Sequence, residues 1–417
     1  MTAPIVLDVS RLLSRASRRV PTGIDRVEHA YADGLLRTAR DRLRYAAVNP
    51  LGRFCHLPTA MTRHFVEQTG LEWQHAMRTR ADDAPSPPND LRALARRLQA
   101  ALMLPHRLPR FLSRRAANEP RPTYLLVSHH HLHQPKAIQA AKDRLDATFV
   151  CFIHDLIPIE FPEYNRPNEA AKHRIRIETA TQFADAFVVN SESTRDALLP
   201  FMRQAGRQVP LIVAPLGVHA TAQTAAPVAT PHGPPYFLYI GTIEPRKNHL
   251  LLFQIWRRLA LELGDRCPKL VLVGQRGWEN EMVLDVIERS EILRDRIVEY
   301  NALPDEKVRD LVSGARAVLL PSFAEGYGLP VAEALAAGTP VLCSDLPALR
   351  EVGGSTPEYL DPLDGLSWLA AIRDYSQEGS ARRASQLGRL AQWSPPSWQA
   401  HLDAVLHLID DVSGAAV

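Results

Sequence analysis

Two glutamates eight positions apart, Glu325 and Glu333, bracket the run EGYGLPVAE, and an adjacent cation pair, Arg246 and Lys247, stands in GTIEPRKNH. Ionised carboxylates only accept hydrogen bonds, so two of them flanking one ligand suit paired hydroxyls. Between them, Gly326 and Gly328 allow the backbone to approach an anion closely. Pro330 and Gly338 mark the start and end of a helix whose positive end faces the same loop. Glu333 falls about one turn, roughly 5 Å, into that helix. Arg246 and Lys247 follow Gly241 in a loop before the amphipathic stretch HLLLFQIWRRL. Two fixed cations neutralise a phosphate much as a bound ion does. The plain readings of the same residues are a capped helix with two solvated glutamates and a solvated cation pair.

Such groups need elements to aim them. IVLDV, TYLLVSH, TFVCFIHD and FVVNS read as strands in the first half, and YFLYIG, KLVLVG, IVEY and AVLLPS in the second, with amphipathic helical stretches between. Strands alternating with helices predict parallel sheets, whose ligands bind at the carboxyl ends of strands. At 417 residues and 46% hydrophobic, the chain suits two α/β domains. The small, Pro-rich ATAQTAAPVATPHGPPY marks the join, giving a first domain over 1–220, a linker over 221–235, a second domain over 236–395 and a terminal helix over 396–417. ADDAPSPPND (81–90) reads as a surface loop. The four cysteines are scattered without a C-x-x-C pair and read as small buried residues. With no G-x-G-x-x-G after an early strand, a dehydrogenase is disfavoured.

EGYGLPVAE with the following ALAAGTPV resembles the E-x7-E signature of retaining GT-B glycosyltransferases that use nucleotide-sugar donors. The resemblance implies two Rossmann-like domains facing across a cleft, with WSPPSWQAHLDAVLHLID as a helix crossing back to the first domain. It implies that Glu325 holds hydroxyls of the transferred sugar, that Glu333 takes the ribose hydroxyls, and that the Gly328 and Leu329 amides approach the diphosphate, with Gly326 and Tyr327 in the same loop. Gly241, Arg246 and Lys247 resemble the family's donor-phosphate loop. Gly274 and the stretch from Glu299 through Tyr300 to Asn301 resemble the lining of the nucleotide base. Gly23, in VPTGIDRVEHAY, resembles the N-terminal glycine loop, with one glycine where many relatives have two. Thr22 there reads as a helix N-cap with Asp25 three residues on. His154 ends a strand where the family places a histidine beside the donor sugar; a core histidine satisfied by Asp155 is the other reading.

The TGIDRVE and HDLIPIEFPEY segments resemble bacterial enzymes of cell-surface polysaccharide assembly, many of which transfer mannose. The implied activity moves a hexose, with mannose and GDP-mannose favoured, to a lipid-linked or polysaccharide acceptor, with no metal or other cofactor. A nucleotide-sugar epimerase or phosphorylase on the same fold, or a carbohydrate-binding protein without turnover, is the alternative. His129, His131 and His133 in SHHHLHQPK match no zinc spacing and read as a polar strand end. Residues 1–218 hold 31 Lys and Arg against 21 Asp and Glu, so the first half faces something anionic. LRALARRLQAALMLPHRLPRFLSRR (91–115) combines seven arginines with an apolar stripe, Leu91, Leu94, Ala95, Leu98 and Leu102. It predicts docking on an anionic membrane face, against the alternative of a stripe packed on the core. The start MTAPIVLDVSRLL reads as a strand and no apolar run is long enough to span a bilayer, so the expected location is cytoplasmic, peripheral on the inner face of the plasma membrane.

Overall fold

The computed structural model of the chain describes residues 2–16, 21–49, 52–76, 89–102, 120–218, 235–301, 303 and 305–414. The expected linker apart from Pro235, and residues 81–88 of the expected surface loop, lie outside the described residues; Asn89 and Asp90 instead begin the helix Asn89–Ala101.

Two sheets organise the chain. The first comprises β1 (Ile5–Asp8), β2 (Leu43–Val48), β3 (Phe54–Leu57), β4 (Thr123–Leu126), β5 (Thr148–Ile153), β6 (Ala186–Val189) and β7 (Leu211–Val213), in the order β3-β2-β1-β4-β5-β6-β7. All pairs are parallel except β2 with β3. The second comprises β8 (Tyr236–Ile240), β9 (Lys269–Val273), β10 (Ile297–Tyr300), β11 (Val318–Leu320), β12 (Val341–Ser344) and β13 (Glu358–Leu360), in the order β10-β9-β8-β11-β12-β13 and wholly parallel. Strands such as β1, β5 and β12 are buried at every position, which is why their sequences are continuous apolar runs and do not alternate.

In both sheets the chain order reverses beside the first strand, between β1 and β4 and between β8 and β11. At such a switch point the helices leave to opposite faces and open a crevice at the carboxyl strand ends. The loops after β8 and β11, about 80 residues apart in sequence, are therefore neighbours.

The helix Trp398–Ser413 packs on the first domain. His401 Nε2 lies 2.6 Å from the Tyr31 hydroxyl, Arg42 pairs with Asp410 at 2.5 Å, and Leu402 presses on the helix Gly23–Thr38 at Gly34, where a Cβ would come within 2.2 Å of its Cδ1. Trp398 rests edge-on against Tyr31 and His401, while the Trp393 indole donates to the Val352 carbonyl. Thr22 caps Gly23–Thr38 in a full capping box with Asp25.

The membrane-docking stripe needs a correction. Leu91, Ala95, Leu98 and Leu102 are buried, and Leu94 packs beside them, against the helices Thr59–Ala76 and Ser10–Arg15. This face covers the first-domain core and is not available to lipid; Leu108, Phe111 and Leu112 lie outside the described residues. Among the described residues no helix is long and apolar enough to cross a membrane.

Candidate active site

Gly241 follows the last residue of β8, and its φ of 153° and the hydrogen bond its amide donates to the Val273 carbonyl turn the chain toward β9. Gly274, at the end of β9, sits so close that a Cβ there would lie 1.8 Å from the Gly241 carbonyl oxygen. The glycine at 274 thus lets two strand ends touch. Glu299 and Tyr300 end the next strand, β10. The Glu299 carboxylate is held by Arg276 through two 2.8 Å bonds, and the Tyr300 carbonyl accepts from the Gly274 amide.

The β8 loop then presents Arg246 and Lys247 to the β11 loop. Glu325 lies between them, its side chain only 9% exposed. Its Oε1 accepts from Lys247 Nζ at 2.5 Å and Ser322 Oγ at 2.6 Å, and its Oε2 from Arg246 Nη1 at 2.9 Å. Burial alone would raise the Glu325 pKa, but Lys247 and Arg246, with the Ser322 hydroxyl, outweigh it and hold the carboxyl at about 2. Burial and the adjacent guanidinium push the Lys247 pKa down, against the pull of Glu325. The Arg246 carbonyl also accepts from the Phe323 amide at 2.9 Å, so backbone as well as charge joins the loops. Glu325 is thus held by two cations and a hydroxyl.

Past Glu325 the loop turns to the first domain. A Cβ on Gly326 would lie 2.8 Å from Asp155 Cβ and 2.9 Å from the His154 carbonyl oxygen, and the Gly326 carbonyl accepts from Ser191 Oγ at 2.8 Å. Gly326 serves close domain contact. Tyr327 is buried, and its hydroxyl donates to the Leu216 carbonyl at 2.7 Å, again across to the first domain. Gly328 adopts φ 107°, a left-handed conformation that favours glycine, and caps the helix Leu329–Ala336, placing the Leu329 amide at its first turn. Glu333 is exposed on that helix. Three further bridges close the cleft. Glu351 accepts from the Glu192 and Ser193 amides at 2.6 and 2.9 Å, Trp278 Nε1 donates to the Tyr164 carbonyl at 3.1 Å, and the Tyr164 and Phe323 rings stack at 5.6 Å.

On the first-domain side, His154 is buried, and its Nε2 donates to the Val127 carbonyl at 2.7 Å. Its partner is that carbonyl and not Asp155, whose Oδ1 accepts from the Ile157 amide. Burial lowers the His154 pKa to about 4, so the ring is neutral with Nδ1 as an acceptor. Gly23 opens its helix with nothing within 4 Å of where a Cβ would stand, so no close approach demands glycine there. His129 Nε2 accepts from the His154 amide, and the two rings meet edge-on at 5.3 Å between centroids. Among the described residues no group of three His, Cys, Asp or Glu side chains is arranged to hold a metal ion.

Sequence reading passed over Glu244, Ser322 and Tyr239. Glu244 Oε1 accepts from Arg246 Nη2 at 2.6 Å and Nε at 3.1 Å. The signal was its place two residues before the arginine in EPRK. The Tyr239 hydroxyl is fully buried without a hydrogen-bond partner among the described residues, and it points toward Gly241, where a Cβ would lie 3.1 Å away. An unpaired buried donor at the base of a cation-bearing loop fits an anion subsite.

Residues 222–356 match the family described as glycosyl transferases group 1. The chain is similar to O-antigen chain mannosyltransferase B of Escherichia coli, with 40% identity over 165 residues, covering 39% of this chain and 42% of that protein. The serotype-specific mannosyltransferase WbdA of Escherichia coli is 26% identical over 261 residues, covering 59% of this chain and 32% of that protein. The matches therefore span less than half the length of these relatives. Among solved structures, the UDP-forming α,α-trehalose-phosphate synthase of Burkholderia vietnamiensis aligns with a TM-score of 0.61 at 14% identity, over 100% of this chain and 99% of that one. The Anabaena protein HepE in complex with UDP gives 0.61 at 14%, over 98% and 100%. These likenesses establish the fold as GT-B, two Rossmann-like domains across a cleft.

Proposed function

We propose that the protein is a retaining glycosyltransferase of bacterial surface-glycan synthesis that moves a hexose, mannose favoured, from a nucleotide-diphosphate sugar to a lipid-linked or polysaccharide acceptor. The observation that carries this reading is the joining of Arg246 and Lys247 to the Glu325 loop at the β8/β11 switch point, beside the start of helix Leu329–Ala336. Two cations and a helix start suit a diphosphate, and an exposed Glu333 one turn along suits ribose hydroxyls. The similarity to O-antigen mannosyltransferases supports mannose and a glycan acceptor.

In this reading the first step is binding. The diphosphate lies against Lys247, Arg246 and the Leu329 amide, and the sugar extends toward His154. Lys247 and Arg246 then stabilise the charge that develops on the departing diphosphate, in place of a metal ion. The acceptor hydroxyl enters on the same face, its oxygen bonding to the sugar carbon as that carbon's bond to the diphosphate breaks and its proton passing to the departing diphosphate oxygen, which retains configuration. Glu325, fixed by two cations and a hydroxyl, orients and does not attack.

Thermal-shift screening of GDP-mannose and UDP-linked sugars tests the donor, because a ligand binding the native state raises its stability. Glu333→Ala should weaken nucleoside diphosphate and donor alike, whereas Glu325→Ala should chiefly lower turnover. Release of nucleoside diphosphate only when acceptor is present separates a transferase from an epimerase, a phosphorylase or a binding protein; release without acceptor sinks the proposal.

A further inference from the structure

The guanidinium of Arg246 is nearly fully occupied before any ligand arrives. Glu244 takes Nε and Nη2, at 3.1 and 2.6 Å, while Nη1 serves the Ala324 carbonyl at 2.5 Å and Glu325 at 2.9 Å. Of the five N–H groups an arginine carries, these contacts use four and leave one, on Nη2. Lys247, by contrast, directs one bond to Glu325 and retains two N–H groups. The set of Arg246, Lys247, Glu244 and Glu325 carries two positive and two negative charges, so it is neutral as it stands. Glu244 is 4% exposed and Arg246 Nη2 sits beside it at a charge-assisted distance, so solvent does little to screen the pair.

We propose that Glu244 is a positioning residue that fixes Arg246 as a rigid wall of the phosphate site and, by cancelling one positive charge, keeps the site from holding the diphosphate product too tightly. The inference rests on the glycosyltransferase reading above. Lys247 is then the cation that meets the diphosphate directly, with Arg246 supplying its single remaining Nη2 hydrogen from a fixed direction. A neutral site binds a diphosphate through aimed donors and lets it go after transfer. A site with one excess cation would hold the diphosphate product more strongly, which slows turnover wherever release limits it.

Replacing Glu244 by Gln keeps shape and removes charge; replacing it by Asp keeps charge and withdraws the carboxylate by one methylene. ADP, GDP, UDP and dTDP are titrated calorimetrically into the wild-type protein and both variants, with turnover measured for each. Glu244→Gln should bind the recognised diphosphate about tenfold more tightly, as expected for deleting one like charge some ångströms from the ligand in a partly desolvated site, and turn over about tenfold more slowly. Glu244→Asp should match wild-type diphosphate affinity within about twofold yet also turn over more slowly, because Arg246 is no longer held. A role confined to stability would move thermal midpoints in both variants without this opposition of affinity and rate. Unchanged or weaker diphosphate binding in Glu244→Gln overturns the inference, and so does a Glu244→Asp variant that shifts affinity as much as Gln. Should Glu244→Gln fail to fold, the Asp variant alone decides: wild-type turnover refutes it. If the wild-type protein binds none of the four nucleotides, the donor-site reading itself fails.

Discussion

Adding one methyl group at position 326 should separate the two domains while leaving the phosphate loop intact. In Gly326→Ala the new Cβ would stand 2.8 Å from Asp155 Cβ and 2.9 Å from the His154 carbonyl oxygen. Neither neighbour is the end of a flexible side chain, so the loop and the first domain must part by roughly 0.5 Å to restore ordinary contact, at an overpacking cost of about 1–3 kcal/mol. The same displacement strains the bonds from Ser191 Oγ and Thr194 Oγ1 to the Gly326 carbonyl, now 2.8 and 3.3 Å, each worth about 0.5–1.5 kcal/mol net. Taking about 2 kcal/mol as the combined loss, the ratio of closed to open protein falls roughly 30-fold. Small-angle scattering should show a larger radius of gyration, and kcat/KM should drop about 10- to 30-fold, while nucleoside diphosphate affinity stays within about twofold. Loss of diphosphate affinity in step with turnover would show that the Gly326 amide serves the phosphate, and an unchanged scattering profile with wild-type turnover would refute the packing argument altogether.

Lys247→Ala should lower turnover by roughly 10²-fold or more, and chelator should leave the wild-type rate nearly unchanged; activity abolished by EDTA and restored by Mg²⁺ would overturn the role given to the cations. Burial, reinforced by the Asp8 charge, raises the Glu28 pKa from 4.5 to about 8, so its neutral form belongs to the native state. That contribution is complete below the unfolded value and disappears as pH rises through about 8; Glu28→Gln should therefore melt higher than wild type at pH 9 and alike at pH 4, and a pH-independent difference would count against it. Burial also holds His154 and His401 near pKa 4, against 6.5 when unfolded. Their share of stability is present above 6.5 and lost as pH falls through about 4, so the urea midpoint should decline across that window, and a flat midpoint would contradict the assignment.

Much of the architecture was legible because it is written in local pattern. Buried parallel strands must be short apolar runs, so IVLDV, TFVCFIHD and KLVLVG announced β1, β5 and β9, and Thr22 with Asp25 announced a capping box that exists. β2, β3, β7, β12 and β13 were missed: β3, β7 and β13 are edge strands of three or four residues and partly exposed, whereas β2 and β12 lie inside their sheets but carry Arg, Ala, Cys or Ser in short runs, LRYAAV and VLCS, that give no sustained large apolar signal. The 91–102 stripe shows the limit of periodicity: an apolar face on a basic helix states that something covers it, and only the packed core says what.

At the site, residue type and spacing along the chain determined that Glu325, Arg246 and Lys247 stand in loops after strands and that Gly328 precedes a helix. Tertiary structure decided what each of them touches. Sheet order β8 beside β11 brought Lys247 within 2.5 Å of Glu325, a contact between residues 78 positions apart that no local signal encodes. It also turned Gly326 to the other domain and gave Tyr327 to the Leu216 carbonyl. Backbone propensity and hydrophobic period act over a few residues, whereas hydrogen-bond partners and charge balance depend on which strand ends the sheet places side by side.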